Sequence, residues 1–329
     1  MRMKILLSHQ SALDFWRIHR REKNRYPLYE GTLAPSEPPG KSSLANAALR
    51  DLDRPLDVAV SMKSAQRTTK QLVSHSIGYT LAPDSAFCVT ENLLVSSPEF
   101  CYLQMAGKLS LHQLIQLGYE LCGSYSPNVL SRQRDLPDGS RNTLYELDPL
   151  TEKQKLLQYM LSMSNAYNHK KAMTALQYVI DGSASPRETI LVMLLTLPQR
   201  YGGFGLPFPD LNYHIYPAQT TSTPAEKSFR KCDLYWSDFR LAVEYDSDLH
   251  HTGAERIASD ARRRNSLLSQ GITLITVTNQ QMKSMGDFAH LARQLAGFMN
   301  IKPRYVSGKK FEEAHRNLRK SIMQPSSTV

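Results

Sequence analysis

The sequence predicts an α/β chain of two domains, and four stretches carry that prediction. Residues 231–277 run in the order strand, strand, acidic tip, helix, strand. Residues 55–97 hold short strand-like runs broken by turns. Residues 97–121 and 185–197 are capped segments with apolar faces at helical spacing. At 329 residues, 41% hydrophobic and 21% charged, the chain is long enough to bury more than one core. The expected division is a smaller N-terminal α+β domain over 1–123, then a polar connection with bridging helices over 124–181. A mixed sheet flanked by helices follows over 182–300, and a basic tail over 301–329.

In chain order, residues 3–19 suit a short strand and then a helix capped by Ser8 or Ser11. Pro35, Pro38, Pro39 and Gly40 mark a loop. A short helix is expected over Ser43–Leu52, with strands over Pro55–Ser61, Val73–Leu81 and Phe87–Ser97. Ser97 then caps a helix running to Ala106, with Pro98 at its first position, and a second helix from Ser110 breaks at Gly123. Residues 124–147 read as a polar connection, and Leu150–Ser164 and Lys170–Ile180 as helices bridging the two halves. Ser185 and Pro186 open the next helix. Glu188 sits in its first turn, where the helix dipole favours a carboxylate. Leu211–Tyr216 is expected as the first strand of the C-terminal sheet.

The hairpin beyond it carries the chemistry. Asp233–Trp236 and Phe239–Tyr245 are strand-like runs joined by Ser237 and Asp238. Alternation along the second strand turns Glu244 and Asp246 to one face, and Asp233 meets Glu244 across the hairpin if the register pairs them. Carboxylates so placed are costly without a partner and favourable around a divalent cation. A helix over Ala254–Gln270, a left-handed Gly271 and a strand over Ile272–Val277 complete the unit. A helix from Gly286 or Asp287 should pack Phe288, Leu291, Leu295 and Phe298 on the sheet. The tail, with Arg304, Lys309, Lys310, Arg316, Arg319 and Lys320, is either a solvated helix or a phosphate clamp.

Asp233, Glu244-x-Asp246, His250, Asp260, Arg263, Leu267 and Gly271 together resemble the PD-(D/E)XK nuclease superfamily, specifically its very-short-patch-repair-endonuclease-like branch. Ser247 stands where that branch has glycine, and Asp246 occupies the position of the superfamily's lysine. The resemblance implies a restriction-endonuclease-like fold, and hydrolysis of DNA rather than RNA with Mg²⁺ or Mn²⁺ held by Asp233, Glu244 and Asp246. It also implies Glu188 as an accessory acid and His250 in the missing lysine's place. Defence against foreign DNA, or repair, would be the setting. Arg262, Arg263 and Arg264 suit phosphate backbones better than bases.

The residues alone leave plainer alternatives open. Glu188 is also an ordinary helix N-terminal residue, His250 and His251 also ordinary loop contacts. Asp260 with Arg263 and Arg264 also reads as surface pairs worth ~0.3–0.5 kcal/mol each. A nuclease fold that binds nucleic acid without cutting it, in a regulatory or toxin–antitoxin-like role, is the alternative function. Residues 95–106, VSSPEFCYLQMA, resemble the amino-terminal part of abortive-infection antitoxin-like proteins. The N-terminal domain is accordingly expected to recruit substrate or a protein partner.

A net charge of +10 points to a polyanionic partner. No run approaches the ~20 apolar residues that cross a bilayer, and Ile5-Leu6-Leu7 is too short for a signal peptide, so a cytoplasmic location is expected. Four scattered cysteines without C-x-x-C pairing argue for buried free thiols rather than zinc or disulfides.

Overall fold

The structure, a computed structural model, describes residues 5–31, 46–131, 143–216, 230–246, 264–301 and 308–323. It is a mixed α/β chain that divides into two compact units, Met1–Asp181 and Gly182–Val329.

The first unit is built on a five-stranded mixed sheet of order β3-β2-β1-β5-β4. Its strands are β1 (Ile5–Leu7), β2 (Leu56–Val60), β3 (Leu72–Ser76), β4 (Ala86–Thr90) and β5 (Leu93–Ser96). β1 runs parallel to β5 and antiparallel to β2, so it lies at the centre with every residue buried. Helix α1 (His9–Ile18) follows directly and buries Phe15 and Trp16 completely; the Trp16 indole N–H donates to the Ser96 carbonyl at 2.7 Å. Ser8 stands at the N-cap position without capping through its side chain. Helices α2 (Pro98–Met105) and α3 (Leu111–Cys122) carry the caps read from sequence: Ser97 Oγ accepts from the Phe100 N–H, and Ser110 forms a reciprocal box with Gln113. Of the helix expected over Ser43–Leu52, residues 43–45 lie outside the described residues, and the described part holds a 3₁₀ turn, Ala47–Leu49, capped by Asn46.

The division falls after Asp181, where the sequence places the start of the second domain, and the described residues of the expected connection and bridging helices, 124–131 and 143–181, group with the first unit. Helix α4 (Lys153–Ser162) packs on α2, and α5 (His169–Leu176) packs on α3. A short β6 (Ser126–Pro127) pairs with β7 (Thr143–Leu144). Arg20 is the physical reason the polar segment folds back. It is 3% exposed, and its guanidinium donates to the carbonyls of Glu120, Gly123, Tyr125 and Asp148. One buried cation thus collects the carbonyls around the end of α3, which nothing in local periodicity foretells.

The second unit holds a four-stranded sheet of order β11-β10-β9-β8, from β8 (Asp210–Ile215), β9 (Arg230–Trp236), β10 (Leu241–Asp246) and β11 (Thr273–Thr278). β8, β9 and β10 are antiparallel neighbours, and β11 runs parallel to β10. A 3₁₀ turn at Ser237–Phe239 and a left-handed Arg240 make the tight hairpin between β9 and β10. Helix α6 (Pro186–Thr196) is buried from Glu188 to Thr196. Residues 264–269 are helical (α7) and bury Leu267; Gly271 takes the left-handed φ of +72° expected of a helix C-cap.

A short α8 (Asn279–Lys283), absent from the sequence reading, precedes α9 (Met285–Phe298). In α9, Phe288, Leu291 and Leu295 are buried as expected, whereas Phe298 at the last position is 49% exposed. The basic tail is neither solvated throughout nor only a clamp. Its helix α10 (Lys309–Met323) buries His315, Leu318, Arg319 and Ile322, and Arg319 donates to the Met282 carbonyl. Lys309, Lys310, Arg316 and Lys320 stay exposed, and Arg304 lies outside the described residues. Gly202, at φ +87°, makes this packing possible, because a Cβ there would sit 2.4 Å from the Ala314 carbonyl oxygen.

All four cysteines are free thiols. No helix among the described residues is long and apolar enough to cross a membrane.

Candidate functional site

The sheet register brings the acidic hairpin residues into one row. β10 pairs with β9 through Leu241↔Trp236, Ala242↔Tyr235 and Val243↔Leu234. One step further sets Glu244 at the level of Asp233. There the Asp233 carboxylate reaches the neighbouring strand, and its Oδ2 accepts the Tyr245 backbone N–H at 2.7 Å. On the other side, β8 pairs Leu211↔Leu234 and Tyr213↔Cys232, which puts Asn212 at the same level. Glu244 in turn pairs with Thr276 on β11. Asn212, Asp233, Glu244 and Thr276 thus line up across four neighbouring strands, with Asp233 and Glu244 half-buried.

Glu188 joins this row from α6. The cap that starts the helix also orients it: Ser185 Oγ accepts the Glu188 N–H at 3.1 Å, and Glu188 Oε2 accepts the Ala184 N–H at 2.9 Å. The same oxygen accepts from Asn212 Nδ2 at 2.7 Å, and Asn212 also donates to the Gly182 carbonyl. Asn212 does this from a left-handed φ of +52° inside a strand, a conformation asparagine tolerates better than most residues. Glu188 is 7% exposed. Burial raises its pKa first, the Asp233 carboxylate raises it further, and the hydrogen bonds from Ala184 and Asn212 pull it back. Two acids therefore stand within electrostatic reach of each other, and their repulsion is the kind a cation relieves.

Asp246 lies on the face of Glu244, further along β10. Two strand residues carry it about 6.6 Å past Glu244, to the level of Thr278. Among the described residues no three His, Cys, Asp or Glu side chains gather as a metal cage. The three carboxylates expected to converge thus form no three-ligand group, and what the register gives is one level shared by Asp233 and Glu244. Such a pair still fits Mg²⁺ or Mn²⁺, since Mg²⁺ takes one or two carboxylates and fills its octahedron with waters and substrate oxygens.

His250, Arg262 and Arg263 lie outside the described residues, and Arg264 is exposed at the start of α7. Two residues escaped the sequence reading. Asn212 ties α6 to the sheet; its one sequence signal is an asparagine in the middle of a strand-like run. Lys231 is exposed, two residues before Asp233 on the same strand, and alternation turns it to the same face. The β9–β10 register carried onward sets it opposite Asp246.

The sheet also packs an apolar cluster of Ile215, Cys232, Tyr235, Ala242, Leu267 and Ile272. Tyr213 stacks on Tyr235 at 4.9 Å, and the Trp236 indole N–H donates to the Pro207 carbonyl at 2.9 Å. Comparisons of the chain with protein-family models, with curated proteins and with solved structures return no match.

Proposed function

We propose that the second unit is a metal-dependent endonuclease that hydrolyses phosphodiester bonds of DNA through a PD-(D/E)XK-like site. The observation that supports this reading best is the Asp233–Glu244 row, joined from α6 by a buried Glu188 through Asn212. A bound Mg²⁺ or Mn²⁺ would supply a water of lowered pKa and draw charge from the phosphoryl oxygens. Asp233 and Glu244 would hold it through their carboxylates. The Asp233 carboxylate is fixed on the neighbouring strand by the Tyr245 N–H. Asn212 and Glu188 act as positioning residues, fixing α6 against the strand row. Lys231 offers a cation on the acidic face where the resemblance lacks its lysine, and the exposed Arg264 with the net charge of +10 suits a phosphate backbone. His250 remains the proposed partner of the attacking water.

A non-cutting nucleic-acid-binding protein is the second reading, favoured by the absence of a three-ligand cage among the described residues. Nicking of supercoiled plasmid in Mg²⁺ or Mn²⁺ separates the two. Metal-dependent nicking lost in Glu244→Ala supports the enzyme; salt-sensitive binding with no nicking in any divalent metal supports the binder.

A further inference from the structure

The first unit holds a cavity of about 180 Å³ where the start of α1, the end of β3 and helix α2 meet. Beside it Asp57 Oδ1 accepts from Lys108 Nζ at 2.9 Å and lies 2.6 Å from His75 Nε2. The His75 ring packs on His9 with centroids 3.9 Å apart. His9 sits at a left-handed φ of +46°, a conformation that persists only where its surroundings fix it. Burial, with His75 and Lys108 nearby, pushes the His9 imidazole down to about 3, so it is neutral at physiological pH. Ser8 Oγ lies 3.1 Å from His9 Nδ1, but Ser8 is fully buried, so the cluster offers no accessible serine nucleophile. Among the described residues, no Asp, Glu, Lys or Arg lines the cavity itself.

Gln104 is the pointer to an occupant. It is 7% exposed and lines the cavity. Its Oε1 accepts the His9 backbone N–H at 3.0 Å, and because that group can only donate, the amide's orientation is fixed. Nε2 is left buried without a partner. Buried donors in native proteins keep an acceptor, which the protein itself does not supply to Gln104 and which water or a ligand beside it provides.

The rest of the lining says what kind. The Tyr79 and Tyr167 rings meet edge to face at 6.1 Å, with Tyr167 66% exposed at the rim, and Gln66 and Asn168 add carboxamides. Aromatic faces and carboxamides are the two chemistries that hold an unstacked base, by its plane and by its edge. The volume falls below the ~300 Å³ at which drug-sized ligand sites begin, which leaves room for one small heterocycle.

We propose that this cavity receives one uncharged nucleobase, from a free nucleoside or from an unstacked position in a single strand. Gln104 Nε2 donates to a ring or carbonyl acceptor, and the Tyr167 ring covers the base. The site is independent of the acidic row in the second unit.

The test is calorimetric titration of the full chain with adenosine, guanosine, cytidine and thymidine, which carry no phosphate. A single-stranded oligonucleotide and its abasic counterpart follow. At least one nucleoside should saturate at millimolar concentration, and Gln104→Leu and Tyr167→Ala should each weaken it about tenfold. Tyr167→Ala should leave the melting temperature unchanged, so its loss of binding is separable from misfolding. An intact strand that outcompetes its abasic counterpart identifies a strand base as the source; equal affinity of the two, with nucleoside binding retained, identifies the free nucleoside. Failure of every nucleoside to saturate the folded chain overturns the proposal. So does binding by both variants as tight as wild type.

Discussion

Replacing Glu188 by glutamine isolates the electrostatics of the acidic row from its hydrogen bonding. The amide oxygen that Glu188→Gln introduces can still accept from Ala184 and Asn212, so the two bonds of 2.9 and 2.7 Å survive the change. What disappears is a buried carboxyl whose pKa is raised by burial and by Asp233. The sign follows from proton linkage. A carboxyl with a raised folded pKa binds more protons in the native state than in the unfolded one. Its contribution to stability therefore falls as pH climbs from about 4.3, the unperturbed value, through the raised one. Each pH unit inside that window costs wild type up to about 1.4 kcal/mol relative to Glu188→Gln.

Urea denaturation at pH steps between 4 and 8 reads this directly, as a gap between the two stability curves that widens and then levels. Asp233→Asn should shrink the gap, because it removes the like charge that Glu188 faces. Glu188→Leu, which abolishes both acceptors, should instead cost about 2–4 kcal/mol at pH 5. Parallel curves for wild type and Glu188→Gln would refute the reasoning, as would a Glu188→Leu variant as stable as wild type.

Three further outcomes follow from the packing. Arg20→Met should destabilise the first unit by about 3 kcal/mol or more, since four backbone carbonyls lose their shared buried donor; thermal unfolding measures it. Gly202→Ala should displace α10 from the second unit and cost more than about 2 kcal/mol, seen as faster proteolysis within residues 309–323. His315 donates Nδ1–H to the Gly202 carbonyl at 2.7 Å and accepts from Arg319 on Nε2, and burial holds its pKa below the ordinary value. Stability from this contact is full above about pH 6.5 and declines as pH falls towards the lowered pKa, because the unfolded chain takes the proton first. Amide exchange along α10 should accelerate over that range, and His315→Gln should remove the dependence.

The hairpin of β9 and β10, the Ser185 and Ser97 caps, and left-handed Gly271 were legible because each depends on residues close in sequence. Periodicity and capping chemistry report local geometry. They do not report which distant groups a buried side chain ties together, and the misreadings lie there. Arg20 draws in carbonyls a hundred residues away or more, so residues 124–181, read as a polar connection with helices bridging the two halves, group with the first unit where described. Lys309–Met323 looked like a basic tail because its charges outnumber Leu318 and Ile322, the residues that anchor it.

Of the acidic row, Asp233 and Glu244 were legible from alternation. The level at which Asp246 sits depends on strand rise, and Asn212 depends on a left-handed backbone that composition does not announce. The cavity at Gln104 draws on residues 9, 66–79, 103–104 and 167–168, a spread with no motif spacing.

The proposed function rests on Asp233 and Glu244 holding one divalent cation between them. Titration of the full chain with Mn²⁺, followed by the loss of free-ion signal in electron paramagnetic resonance, tests it without requiring a substrate. A saturable site is expected in wild type and is lost in both Asp233→Asn and Glu244→Ala while the fold is kept. Mn²⁺ binding equal in wild type and both variants, or absent from folded wild type, would contradict it.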